Sequence, residues 1–106
     1  MKYAKLASIF SELFDTHYIV GRTEDGQFVY VWTNCTDYAE ADEIPAALLD
    51  EPTDRNGALV GSADYIIDDI ENCVGSFRDW GTDAQVAEAS RIVDTLVGAI
   101  QEMQQA

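Results

Sequence analysis

The segment HYIVGRTEDGQFVYVWT, His17 to Thr33, leaves this chain little choice of fold. Two runs of β-branched and aromatic residues, HYIVGRT and QFVYVWT, flank Glu24-Asp25-Gly26, which is the pattern of an antiparallel hairpin. Gly26 supplies the positive φ that the turn needs. Side chains alternate along a strand, so Phe28, Tyr30 and Trp32 share one face and Val29 and Val31 the other. Both faces are apolar, so each has to be covered, and helices on both sides would do that.

The flanking segments supply candidates. Tyr3, Leu6, Phe10, Leu13 and Phe14 recur at helical spacing, with Ile9 beside them, which predicts an amphipathic helix over Lys2–Asp15. Pro45 opens a short helical stretch, PAALLDE, which Pro52 ends. TDRNG then reads as a turn, and Ala58–Gly61 as a short third strand at a sheet edge. Ser62 is placed to cap a helix running from Ala63 to about Val74, with Ile66, Ile67, Ile70, Cys73, Val74 and Phe77 as its apolar stripe. Thr82 and Gln85 form a capping-box pattern before a last helix whose apolar face runs from Val86 to Met103. Trp80 is expected to be partly buried where these two helices meet, and Trp32 to be core. The fold class is therefore α+β: a small antiparallel sheet (hairpin 17–33, third strand near 58–61) packed by an N-terminal helix and two or three C-terminal helices. A chain of 106 residues is enough for one core, so residues 1–106 read as a single acidic domain.

Charge narrows the function. Twenty Asp and Glu face six Lys and Arg, a net charge of −14. Self-repulsion on this scale excludes a surface that holds DNA, RNA or an anionic membrane, and it points to basic proteins or cations as partners. The acids are also concentrated. Asp37, Glu40, Asp42, Glu43, Asp50, Glu51 and Asp54 fall in eighteen residues with no base among them. On the next predicted helix Asp64, Asp68 and Glu71 stand at i, i+4 and i+7, opposite the apolar stripe. Like charges one turn apart cost the helix about 0.2–0.5 kcal/mol per pair, which Asp64 partly offsets at the positive end of the helix dipole.

Catalytic patterns are sparse. His17 is the sole histidine and begins a strand among apolar residues. No nucleophile elbow, phosphate-cradling glycine loop or histidine-rich metal motif occurs. The acids do not follow the alternating ligand spacing of a calcium loop. The expectation is a protein that is not an enzyme and needs no metal or cofactor. Cys35 and Cys73 lack metal-ligand spacing and read as two buried free thiols of a cytoplasmic protein, with a single disulfide left open. Ser8, Ser11, Glu12 and Asp15 break the opening apolar run, so it does not read as a signal peptide, and no run reaches the ~20 residues of a membrane span.

A rigid array of carboxylates resembles a nucleic acid. Duplex DNA carries one negative charge per ~3.4 Å on each strand, and carboxylates one helical turn apart stand about 5–6 Å from each other. Asp64, Asp68 and Glu71 would form one row, and the acids of 37–54 a second. The expected function is an acidic inhibitor that fills the basic nucleic-acid-binding surface of another protein, as a monomer or a homodimer. Two alternatives stand beside it. An immunity or antitoxin-like protein would neutralise one basic toxin, and a salt-adapted domain would use its acids only for solvation.

The segment GSFRDWGTDAQVAEASRIVDTL, Gly75 to Leu96, resembles the C-terminal part of the small acidic anti-CRISPR proteins that block type I-F surveillance complexes by imitating DNA. The resemblance rests on Gly75, Asp79-Trp80, Asp83-Ala84, the run Ala87-Glu88-Ala89-Ser90, Ile92 and Leu96, and covers about a fifth of the chain. It implies a phage or mobile-element origin and a target among DNA-binding host defence complexes. It carries over only the general acidic character of Asp79 and Asp83, which join the candidate partner-binding residues. This chain is longer than those proteins, and its acids lie more toward the middle.

Overall fold

The computed structural model describes residues 3–33 and 56–105. Within them the chain forms four strands and three helices: β1 (Tyr3–Ser11), β2 (Thr16–Thr23), β3 (Phe28–Thr33), β4 (Asn56–Gly61), α1 (Ala63–Gly75), α2 (Phe77–Trp80) and α3 (Asp83–Gln105). The strands make one antiparallel sheet in the order β1-β2-β3-β4. The α+β class, the 17–33 hairpin, the strand near 58–61 and the C-terminal helices all stand as read from sequence. The short helix expected at 45–51, Cys35, and the acids Asp37, Glu40, Asp42, Glu43, Asp50 and Glu51 lie outside the described residues.

The N-terminal helix is a correction, because Tyr3–Ser11 is a strand hydrogen-bonded along β2. Its true period is two. Ala7, Ile9 and Ser11 point to the helices, while Leu6, Ser8 and Phe10 point the other way. The residues that suggested a helical stripe, Leu6, Phe10 and Leu13, are the exposed ones. A turn over Glu12–Asp15 returns the chain. Asp15 takes φ 48° there, and the Ser11 hydroxyl accepts from the Phe14 amide at 3.3 Å. β2 buries both faces and needs a ladder on each edge, and β1 supplies the second.

The second turn follows expectation. Gly26 sits at φ 91°, and the Thr23 amide donates to the Gln27 carbonyl at 2.9 Å. The inner face of the sheet carries Ile9, Tyr18, Val20, Phe28 and Tyr30, which meet Ile66, Ile70 and Val74 of α1 and Ile92, Leu96 and Ile100 of α3. Each such side chain contributes about 1.5–3 kcal/mol on burial. The described helices lie on this face. The outer face is buried too, at Ile19, Val29, Val31 and Ala58, all at 1 % exposure or less. No described helix is long and apolar enough to cross a membrane.

Local signals end the helices where the sequence places them. Ser62 Oγ accepts from the Tyr65 amide at 3.3 Å. Thr82 and Gln85 exchange both capping-box bonds: Thr82 N to Gln85 Oε1 at 2.9 Å, and Gln85 N to Thr82 Oγ1 at 3.2 Å. At the far end of α3 the Arg22 guanidinium, lying 5.8 Å from the Phe28 ring centroid, donates to the Met103 carbonyl. A cation thus meets unpaired carbonyls at the negative end of the helix dipole and ties α3 to β2.

Candidate functional site

α1 buries one side only. Ala63, Ile66, Ile70 and Val74 face the core. At 100° per residue, Asp64, Asp68 and Glu71 fall within about 60° of one another on another side, and all three are exposed. The Asn72 amide donates to Asp68 Oδ2 at 3.3 Å, and no cation among the described residues pairs with the row. Among the described residues one ion pair occurs, Glu88 with Arg91 on α3. Asp79 and Asp83, at the α2 corner between the long helices, are exposed as well. The five predicted contact residues within the described part therefore all reach solvent.

Trp80 departs from expectation. It stands between the two helices, as read from sequence, yet it is 67 % exposed. Its ring lies 4.7 Å from that of Phe77, which stacks on Phe14 of the β1–β2 turn at 4.2 Å and 23°. Leu13, also exposed, belongs to the same turn. A helix of four residues has no second turn with which to bury both of its aromatics. Gly75-Ser76 before it and Gly81 after it are the sequence signal for so short a helix. An exposed tryptophan on a stacked aromatic base, with Asp79 and Asp83 beside it, is the kind of group that anchors a protein interface.

Under α1 lies a separate polar cluster. Tyr30 is fully buried, and its hydroxyl has no hydrogen-bond partner among the described residues. Desolvation, then the nearby Tyr18, Cys73 and Asp69 charges, hold the Tyr30 pKa well above its usual range. Cys73 is a free thiol, exposed rather than buried as expected, and its Sγ bonds Asp69 Oδ1 at 3.6 Å. Desolvation first, then the Asp69 charge and this bond, push the thiol to about 11. Such a thiol is a poor nucleophile at neutral pH. His17 packs edge-on against Phe10 at 6.2 Å, and burial lowers its pKa, so it is neutral at pH 7. No three of His, Cys, Asp or Glu among the described residues gather as metal ligands.

Asp69 gives a pH prediction. Desolvation raises its pKa above the ordinary 3.8, the Asp68 charge adds to this, and the Cys73 bond opposes it. A carboxyl with a raised folded pKa favours the fold when protonated. That contribution is complete below the unfolded pKa and is lost as pH rises through the folded one. Asp69→Asn cannot ionise and can still accept from Cys73. Its thermal midpoint is expected to match wild type below pH 3.8 and to exceed it at pH 7, the difference growing as pH rises from 3.8 through the folded pKa and then levelling off. Equal midpoints at pH 7 would mean that solvent already relieves the carboxylate.

Compared with known proteins, the chain matches no protein-family model, no curated protein and no solved structure.

Proposed function

We propose that this chain is an acidic inhibitor of a nucleic-acid-binding protein, acting as a DNA mimic on a host defence complex and carried by a phage or mobile element. The observation behind it is the exposed row Asp64-Asp68-Glu71, paired with no cation among the described residues, on a helix whose buried side is locked into the core. Its spacing of about 5–6 Å is on the scale of phosphates along a strand. A fixed row loses less freedom on binding than a flexible acidic tail, so the same charge binds more tightly. Asp79 and Asp83 add exposed carboxylates at the α2 corner, and Trp80 offers an apolar anchor beside them. The likeness of Gly75–Leu96 to anti-CRISPR proteins agrees with this reading and suggests the class of target. The partner is a basic protein surface, and nucleic acid itself is a competitor.

The test is capture from bacterial lysate with C-terminally tagged protein, at low salt and at ~0.5 M salt, where screening removes surface steering. Bound proteins are identified and then challenged with duplex DNA. A nucleic-acid-binding complex that DNA displaces is the expected result. A single partner that DNA leaves in place would replace mimicry with the immunity-protein reading. Capture of nothing specific would leave a solvated acidic surface.

A further inference from the structure

We propose that β1 is the seam of a homodimer, in which two copies join their sheets edge to edge through antiparallel pairing of Lys5–Ser11 about a two-fold axis at Ser8. β1 is an edge strand, bonded to β2 on one side only. Among the described residues, Lys5–Ser11 make no hydrogen bond beyond those of that ladder, apart from the Ser11 hydroxyl in the turn. Long exposed edges are templates for pairing, and soluble proteins blunt them with charged side chains (lysine above all), proline, bulges or brevity. β1 has nine residues and no proline; its single charge, Lys5, and its one irregularity, between Tyr3 and Lys5, both lie toward its start. Lys5–Ser11 is left regular. The opposite edge, β4, is shorter and carries two glycines.

The partner is a second copy because the strand is complementary to itself. With the axis at Ser8, Leu6 of each copy lies directly opposite Phe10 of the other. These outer-face side chains are 37 % and 42 % exposed, and the pairing covers both twice over. Ala7 comes opposite Ile9 on the inner face. Lys5 comes opposite Ser11 and next to Glu12 across the seam, so the strand's only charge meets an acid. The inner face at this edge also has a hollow between β1 and α3, lined by Lys5, Leu6, Ala7, Ala99, Glu102 and Met103, which the second strand would close. Elsewhere the high negative charge makes close self-approach costly. β1 is the exposed edge where the only charge is positive.

This inference does not rest on the proposed function, and salt separates the two. Two copies each at −14 repel, so screening should strengthen the dimer, whereas contact with a basic groove weakens in salt. Light scattering is expected to show a particle of twice the 11.7 kDa chain mass. Its dissociation constant should fall at least ~10-fold between about 0.05 M and about 0.5 M NaCl. Ser8→Lys places two ammonium groups face to face on the axis and should return a folded monomer, the fold being checked by circular dichroism. Should that variant fail to fold, Ser8→Cys in a Cys35→Ser/Cys73→Ser background decides. It should oxidise to a covalent dimer faster than a Glu24→Cys control. A monomer of 11.7 kDa at both salt concentrations would overturn the proposal. So would a dimer that Ser8→Lys leaves intact, or a Ser8→Cys chain that cross-links no faster than the control.

Discussion

A variant with Asp64, Asp68 and Glu71 all changed to lysine is expected to lose at least a hundredfold in affinity for the partner recovered from lysate, while keeping its fold. Each reversal replaces attraction to a basic groove with repulsion. Truncating one member of a desolvated charge pair costs about 2–5 kcal/mol, so a total of at least about 3 kcal/mol for three reversals is a conservative sum. The fold should tolerate the change because the three side chains are exposed and make no ion pair among the described residues. Lysines at i, i+4 and i+7 repel one another no more than the acids they replace. Asp64 is the exception, since it loses a favourable place near the helix N-terminus worth about 0.3–1 kcal/mol. The control is Glu24, Asp25 and Glu102 reversed together, which changes net charge equally at exposed positions away from the row. That variant should bind more slowly, through weaker steering, with little change in dissociation rate. If both variants lose affinity equally, bulk charge is responsible and the row is no mimic. If the row variant binds fully, the contact lies elsewhere on the chain.

The parts of this fold that were legible are those whose cause is local. Gly26 marks a turn because few other residues adopt its φ, Ser62 and Thr82 mark helix starts because their hydroxyls meet free amides, and the α3 stripe repeats for six turns. The row on α1 was readable for the same reason, since helical spacing alone separates Asp64, Asp68 and Glu71 from Ile66, Ile70 and Val74. β1 was not, because KLASIFS fits both periods: Leu6 and Phe10 are one turn apart, and Ala7, Ile9 and Ser11 alternate with them. What decides is the distant edge of β2, which needs a ladder, and no local pattern in residues 3–11 reports that need. Trp80 failed for the opposite reason. Its neighbourhood looks like a helix junction, but α2 ends after one turn, and the ring stacks on Phe77 instead of entering the core.

Gly57→Ala is expected to destabilise the protein by about 1–3 kcal/mol, the range for forcing a methyl into packed space, and the cost should vanish when Trp32 is removed. Trp32 on β3 lies directly opposite Gly57 on β4, with its indole flat over the glycine. A Cβ at position 57 would sit 1.9 Å from the ring, so the indole has to leave. It has nowhere cheap to go, because it packs on Tyr30 at 5.0 Å between centroids and closes that side of the core. Gly61 provides the contrast. A Cβ there would come within 2.9 Å of Tyr65, but that ring is more than half exposed and can swing outward, so Gly61→Ala should cost little. In a Trp32→Ala background, Gly57→Ala has open space and should stabilise by about 0.4–1 kcal/mol through the lower entropy of the unfolded chain. Denaturant melts of the four proteins therefore form a cycle with an expected coupling of 1 kcal/mol or more, well above the ~0.5 kcal/mol that independent positions show. Equal cost in both backgrounds would place the penalty in the β4 backbone and remove the indole from the explanation. A large coupling makes the Trp32–Gly57 contact the clamp holding β4, and through Ser62 the start of α1, on the sheet.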